Sequence, residues 1–262
     1  MDDAQIKEMV RARYGGIAAA TEVSCCAPEP SSCCGPETTP HDKARRMGYS
    51  EAELSAVPDG ANLGLGCGNP QAIAAMQPGE TVVDLGSGAG FDCFLAAQQV
   101  GDTGYVIGVD MTHEMLKKAR DNAARIGAGN VEFRLGELEH LPIADGTADV
   151  VVSNCVINLV PDKEQVFREA FRVLKPGGRL AVSDIINTAP LSADLQSDPA
   201  LLCGCIAGAA PAERVESWLA RAGFVDVRVT PKPESRELIK TWAPGRNIEN
   251  HIVSAMVEAR KP

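Results

Sequence analysis

The chain has 262 residues, 45% of them hydrophobic and 23% charged, with a formal net charge of −10. That length suits one sizeable α/β domain with added segments, and an acidic chain without a basic stripe excludes a phosphate-backbone binder, so no nucleic-acid partner is expected. No apolar run reaches about 18 residues and the start, Met1-Asp2-Asp3, lacks a secretory pattern, so the chain reads as cytoplasmic with no membrane partner.

In chain order, residues 1–22 read as a short helix ending near Tyr14-Gly15-Gly16. Residues 23–41, dense in Cys, Pro and Ser, read as a loop. Ser50 with Glu53 has capping-box spacing for a short helix, and Asn69-Pro70 start another after the turn Gly64-Leu65-Gly66-Cys67-Gly68. Strands then alternate with helices: strands at 81–85, 105–110, 131–135, 149–153 and 179–183, helices at 90–100, 113–126 and 162–174. Val166, Phe167, Ala170, Phe171 and Leu174 give the last helix a core-facing stripe. A helix at 212–222 and strands at 224–230 and 252–259 complete the pattern. The fold class is α/β, a doubly wound Rossmann-like parallel sheet. Three regions follow: an N-terminal helix and Cys-rich extension (1–60), a cofactor-binding core (61–185), and an acceptor-covering insertion with the strands that complete the sheet (186–262).

Asp84-Leu85-Gly86-Ser87-Gly88-Ala89-Gly90 is a strand running into a glycine turn and a helix. Such a turn lets a ligand approach the backbone, and the helix start offers free N–H groups. About 20 residues on, Val106-Ile107-Gly108-Val109-Asp110 ends a second strand in an acid suited to a ribose diol. The spacing Gly86-x-Gly88-x-Gly90 departs from the dinucleotide fingerprint.

These motifs, with Phe133-Arg134-Leu135-Gly136-Glu137-Leu138 and Lys175-Pro176-Gly177-Gly178, resemble the class I S-adenosylmethionine-dependent methyltransferases. The resemblance implies a seven-stranded sheet with its last strand antiparallel and S-adenosylmethionine as cofactor. It places Asp84 at the cofactor site and Gly86, Ser87, Gly88 and Gly90 along the methionine part. Asp110 takes the ribose, Met111 packs on the adenine, Glu137 and Leu138 flank its edge, and Asn154 lies near the sulfonium.

Nine cysteines in a cytoplasmic chain call for a soft-ion or redox role rather than a disulfide framework. Ser153-Asn154-Cys155 ends the fourth strand at the crevice where ligands of doubly wound folds bind. Cys203-Gly204-Cys205 falls in the insertion expected to cover that crevice, and Cys67 lies just ahead of the cofactor strand. Cys93 shares a helix face with Ala96, Ala97 and Val100, a core position. Thiolates select soft acceptors. Trivalent arsenic bound by two or three sulfurs keeps a lone pair that can take a methyl group without a general base. No histidine stands near these motifs; His41, His113, His140 and His251 read as surface residues. A free thiol near pKa 8.5 needs a lowered pKa or deprotonation assisted by arsenic.

Ser153 to Lys163, Gly64 to Pro70, Gly204 to Ala209, and Tyr14-Gly15-Gly16-Ile17-Ala18 resemble the arsenite methyltransferases. This resemblance implies methylation of arsenite and then methylarsenite for detoxification, with thioredoxin or glutathione as reductant. It makes Cys155 and Cys205 the arsenic-holding thiols. Cys67 is the third, able to bind arsenic or to close a disulfide with an N-terminal cysteine. Where the family has one such residue, this chain offers Cys25, Cys26, Cys33 and Cys34, and Cys203 is also extra. Two other readings stand beside it: a C- or O-methyltransferase of the quinone-biosynthesis type, which would tolerate cysteine loss, and a non-enzymatic metalloid- or zinc-binding protein. The N-terminal cysteine spacing fits no common zinc finger.

Overall fold

The protein is described from a computed structural model covering residues 2–20 and 39–262. The expectations for Cys25, Cys26, Cys33 and Cys34 lie outside the described residues.

Before the sheet come α1 (Asp3–Ala19), α2 (Pro40–Met47), α3 (Glu51–Ser55) and α4 (Gln71–Ala74). Ser50 caps α3 in the expected box with Glu53. Asn69 does not cap α4; its amide instead reaches the Gly48 carbonyl at 3.3 Å. Helix α1 runs through Gly15-Gly16 instead of stopping there. A Cβ at Gly15 would sit 3.1 Å from the Glu114 carboxylate, so the glycine lets α1 lie close on the helix that carries Glu114.

The sheet is built from β1 (Thr81–Leu85), β2 (Tyr105–Asp110), β3 (Val131–Leu135), β4 (Ala148–Asn154), β5 (Leu174–Asn187), β6 (Ala210–Pro211), β7 (Val225–Lys232) and β8 (Ile252–Arg260). Its order is β3-β2-β1-β4-β5-β8-β7, with β6 paired to β5. Strands β1 to β5 pair in parallel, and β8 is antiparallel to both its neighbours. The seven long strands thus have the arrangement implied by the class I methyltransferases. Strand β5 is longer than expected because Asn187 still pairs with Ile252 of β8 and Pro211 of β6.

Alternation along the strands sends Val83, Leu85, Val109, Val151 and Val182 to one face. There they meet Val166, Phe167 and Ala170 of α7 (Lys163–Val173) and Leu219 of α10 (Ala212–Ala222). Val82, Val106, Val150 and Val152 point the other way, onto Phe94 and Ala97 of α5 (Phe91–Val100) and Leu116 and Ala119 of α6 (His113–Ile126). Each such side chain contributes about 1.5–3 kcal/mol on burial. Between β5 and β6 the chain forms α8 (Ala193–Gln196) and α9 (Pro199–Leu202), and α11 (Arg236–Ile239) follows β7. With α1 and the end of β4 they build a third apolar cluster beyond the strand ends, containing Val10, Cys67, Cys155, Leu201, Cys203, Cys205 and Ile239. It is this cluster that encloses the site.

Candidate active site

A cavity of about 690 Å³ opens beyond the carboxyl ends of the parallel strands, a size typical of small-molecule sites. One end is walled by Asp84, Gly86, Ser87, Gly88, Asp110 and Met111, the other by Cys155, Cys203, Cys205 and Tyr14.

The glycine turn contributes space more than donors. The N–H groups of Gly86 and Ser87 donate to the Val109 carbonyl at 2.7 and 3.0 Å, and that of Gly90 to Ser87. The Gly88 N–H donates to Asp110 at 2.9 Å. Within the turn itself β2 and Ser87 take these N–H groups, whereas at the helix start those of Phe91, Asp92 and Cys93 remain free among the described residues, as expected. Gly86 is left-handed (φ 74°), and a Cβ there would meet the Val156 methyls at 2.5 Å. Asp110 accepts from Gly88 and, at 2.8 Å, from Thr112, which fixes its carboxylate at the cavity wall. Burial still pushes it above the usual carboxylate range.

Two expected cofactor residues lie elsewhere. Glu137 does not line the cavity; Lys7 at 2.6 Å and Arg11 hold its carboxylate, while Leu138 and Glu139 form the wall. Gly90 is also absent from the lining, since a Cβ there would meet Phe133 and Phe94 at 2.8 Å. It is a packing glycine.

Asn154 ends β4 and lines the cavity. Its amide donates to the Gly68 carbonyl at 2.9 Å and the Tyr49 hydroxyl at 2.9 Å, and its oxygen accepts from the Cys67 N–H at 3.1 Å. One side chain thus ties the Cys67 loop to the cofactor end. Beneath it Asp84 and Asp92 are buried together. Burial, and then the Asp92 charge, push Asp84 up to about 8. Asp84 accepts from the Cys93 thiol at 3.2 Å, so Cys93 is a core residue as expected.

The three thiols expected to hold the acceptor come close together. Sγ of Cys67, Sγ of Cys155 and a carboxylate oxygen of Asp184 lie within 4.8 Å of one another, all buried. The Cys205 thiol donates to the Cys155 carbonyl at 2.8 Å, and the Cys67 thiol lies 3.6 Å from the Ser183 hydroxyl. Cys155 (φ 58°) and Cys205 (φ 63°) are both left-handed, a conformation costly to any residue with a Cβ. Cys67 is not part of the cavity wall and reaches the cluster from behind, with Ser254 donating to its carbonyl at 2.8 Å.

Hydrogen bonds with Cys205 and Cys67, then burial, push the Cys155 thiol well above its ordinary range. At Cys205 the bond with Cys155 pulls downward, but burial with the Asp184 and Cys67 charges more than offsets it. Both are neutral thiols at neutral pH.

A family profile described as "Methyltransferase domain" matches residues 76–223. The arsenite methyltransferase of Halobacterium salinarum is 53% identical over 266 residues, covering 100% of this chain and 68% of that protein. The arsenite methyltransferase of Aquipseudomonas alcaligenes is 47% identical over 63% of this chain and 49% of its own length. A crystal structure of an arsenic(III) S-adenosylmethionine methyltransferase from Chlamydomonas reinhardtii superposes with a TM-score of 0.63 at 32% identity, covering 84% of this chain and 73% of that one. The chain belongs to the arsenite methyltransferase family.

The site also holds residues that its sequence motifs left unread. Tyr14 of α1 lines the cavity and its hydroxyl donates to the Cys203 carbonyl at 3.2 Å. Burial, then the neighbouring Cys205 and Cys155, push the phenol well above 10. Asp184 was passed over within the apolar run Leu180–Ile186, where a buried acid is itself the signal. Cys203, extra to the family pattern, is a wall residue of the cavity.

The residues present fit an S-adenosylmethionine molecule. Ser87 Oγ is buried without a partner beside the glycine turn, the cradle at Gly86 tolerates no Cβ, and Asp110 presents a fixed carboxylate for a diol.

Proposed function

We propose that this chain transfers a methyl group from S-adenosylmethionine to trivalent arsenic held by Cys67, Cys155 and Cys205, acting on arsenite and then methylarsenite. The convergence of these thiols at one end of a cavity whose other end carries Gly86 and Asp110 supports this reading most directly.

Bound S-adenosylmethionine supplies an electrophilic methyl group on a sulfonium. Asp110 would hold the ribose and Met111 and Leu138 would flank the adenine, while Asn154 fixes the Cys67 loop against the cofactor end. Arsenite, as arsenous acid, exchanges its hydroxyls for sulfur: each neutral thiol gives its proton to a departing hydroxyl, which leaves as water. No separate base is needed, which agrees with thiols whose pKa values are raised. The arsenic keeps a lone pair, and Tyr14 and Leu201 help keep water from it. Taking the methyl group onto that pair, with the donor sulfur leaving as a neutral thioether, would raise arsenic by two oxidation levels. A thiol pair returns two electrons by closing to a disulfide; Cys67 takes this role, and thioredoxin or glutathione reopens the bridge. The reaction belongs to the cytoplasm, where those reductants are found. Among the described residues no helix is long and apolar enough to cross a membrane.

The test is purified protein with S-adenosylmethionine, arsenite and a thiol reductant, the arsenic species being separated by chromatography. Methylated arsenic is expected, abolished by Cys155→Ser and by Cys205→Ser while cofactor binding survives. Full activity in either variant would falsify the thiolate-acceptor reading.

A further inference from the structure

One buried carboxylate beside the acceptor thiols has no part in methyl transfer. An oxygen of Asp184 lies within 4.8 Å of both the Cys67 and the Cys155 sulfur. The side chain is fixed from behind: Asn158 Nδ2 at 2.9 Å and the Ile185 N–H at 2.8 Å donate to Oδ1, while Oδ2 receives only a 3.3 Å contact from the Asn158 N–H. Oδ2 therefore keeps lone pairs to spare. Cys205, whose thiol donates to the Cys155 carbonyl at 2.8 Å, stands beside this group of three and supplies a fourth donor.

Trivalent arsenic uses three of them. Its lone pair fills the fourth direction, so the carboxylate has no bond to make. Three sulfurs and one oxygen are instead a tetrahedral set for a thiophilic divalent ion. Zinc takes sulfur at about 2.3 Å and carboxylate oxygen at about 2.0–2.2 Å, so Cys67, Cys155 and Asp184 need only a modest contraction to close on one, and Cys205 a turn of its thiol away from the Cys155 carbonyl. Asn158 and Ile185 orient the carboxylate as outer partners do at metal sites. The ammonium of Lys163, close enough to feel Asp184 and Cys205, offsets part of the anionic charge.

We propose that Cys67, Cys155, Cys205 and Asp184 form a four-donor cage for a soft divalent cation of the zinc and cadmium class, which displaces trivalent arsenic from the acceptor site. The proposal rests on reading these thiols as the acceptor set. On binding, each thiol that becomes a ligand releases its proton to solvent. The ion competes with arsenite and leaves the cofactor end untouched.

The experiment titrates cadmium chloride into the reduced full chain carrying Cys25→Ser, Cys26→Ser, Cys33→Ser and Cys34→Ser, which removes the N-terminal thiols as rival ligands. Ultraviolet thiolate-to-cadmium absorption counts the sulfurs, the cadmium-113 resonance reports the donor set, and calorimetry of S-adenosylmethionine binding shows each variant intact. One cadmium per chain is expected. Asp184→Asn should weaken it about tenfold or more with the absorption per bound ion retained, and Cys155→Ser should lower that absorption. Equal affinity in Asp184→Asn, or absorption unchanged in Cys155→Ser, overturns the cage. If Asp184→Asn fails to bind cofactor, Asp184→Glu replaces it: a shifted cadmium resonance supports a direct oxygen bond and an unshifted one refutes it. No arsenic and no methyl transfer enter this measurement. A chain that methylates arsenite but fails here loses only the cage, and one that binds cadmium but never methylates loses only the proposed activity.

Discussion

The Cys205 thiol donates to the backbone carbonyl of Cys155 at 2.8 Å, and both residues hold left-handed backbone at φ 63° and 58°. Each conformation costs about 1–3 kcal/mol at a residue with a Cβ, and the surrounding packing sustains it. Glycine would relieve that strain while adding roughly 1 kcal/mol of freedom to the unfolded chain. Cys205→Gly should therefore unfold no more readily than Cys205→Ser, although both lose arsenite binding. Thermal unfolding checks the first statement. Fluorescence of Trp242, which lines the cavity, follows the second. A glycine variant several degrees below the serine variant would remove strain from the account.

Helix α1 is held over the thiols by Lys7, which bridges Glu137 at 2.6 Å and Glu139 at 3.0 Å, with Arg11 on Glu137. These groups are partly exposed, so the cluster is worth about 1 kcal/mol or less and weakens with salt. Lys7→Ala should expose Cys155, Cys203 and Cys205 to a disulfide reagent up to about fivefold faster, in a chain whose N-terminal cysteines are serine. High salt should raise the wild-type rate toward that of the variant. Identical rates in both proteins at low salt would show that these ion pairs do not hold the cover.

Asp84 titrates at about 8 in the folded chain against 3.8 for an ordinary aspartate, through burial and then the Asp92 charge. The folded state thus keeps a proton that the unfolded state gives up. Stability from this group is fully present below about pH 4 and is lost as pH rises toward 8. Asp92→Asn removes the neighbouring charge and should flatten the fall of Tm between pH 5 and 8. A slope as steep as wild type would place the linked proton elsewhere.

Gly86→Ala sets a Cβ 2.5 Å from the Val156 methyls at φ 74°. Loss of S-adenosylmethionine binding is expected, with about 1–3 kcal/mol of stability lost. Adding Val156→Ala should recover the steric part and leave the backbone strain. Calorimetry on the single and double variants separates the two; normal binding in the single variant would show that this turn does not cradle the cofactor.

The strand–helix alternation, the glycine turn and the acid ending β2 were legible because each depends on residues close in sequence. Alternation set the strands, and the cysteines stood out by chemical type. Tyr14 stood in a quoted motif and Asp184 in an apolar strand, but their roles were not legible, because they arise where α1 and β5 meet chain segments far away in sequence. Glu137 misled for a related reason: Leu138 next to it does face the cavity, and only the position of Lys7 and Arg11 on α1 decides that the Glu137 carboxylate turns outward. The left-handed backbone at Cys155 and Cys205 is likewise invisible in sequence, since no glycine marks it.

The segment carrying Cys203 and Cys205 leaves β5 at Asn187 and returns through Ala210, which pairs with Ile186. Its two ends therefore sit one strand-spacing apart, whatever runs between them. Lengthening such a loop costs little closure entropy, about 0.6 kcal/mol for each doubling. Residues 188–209 thus leave and rejoin the sheet at one place, while Leu195, Leu201 and Ile206 pack them over the strand ends. Evolution, or a designer, can reshape the wall that this segment sets around Cys155 without disturbing the strands that carry Asp84 and Asp110.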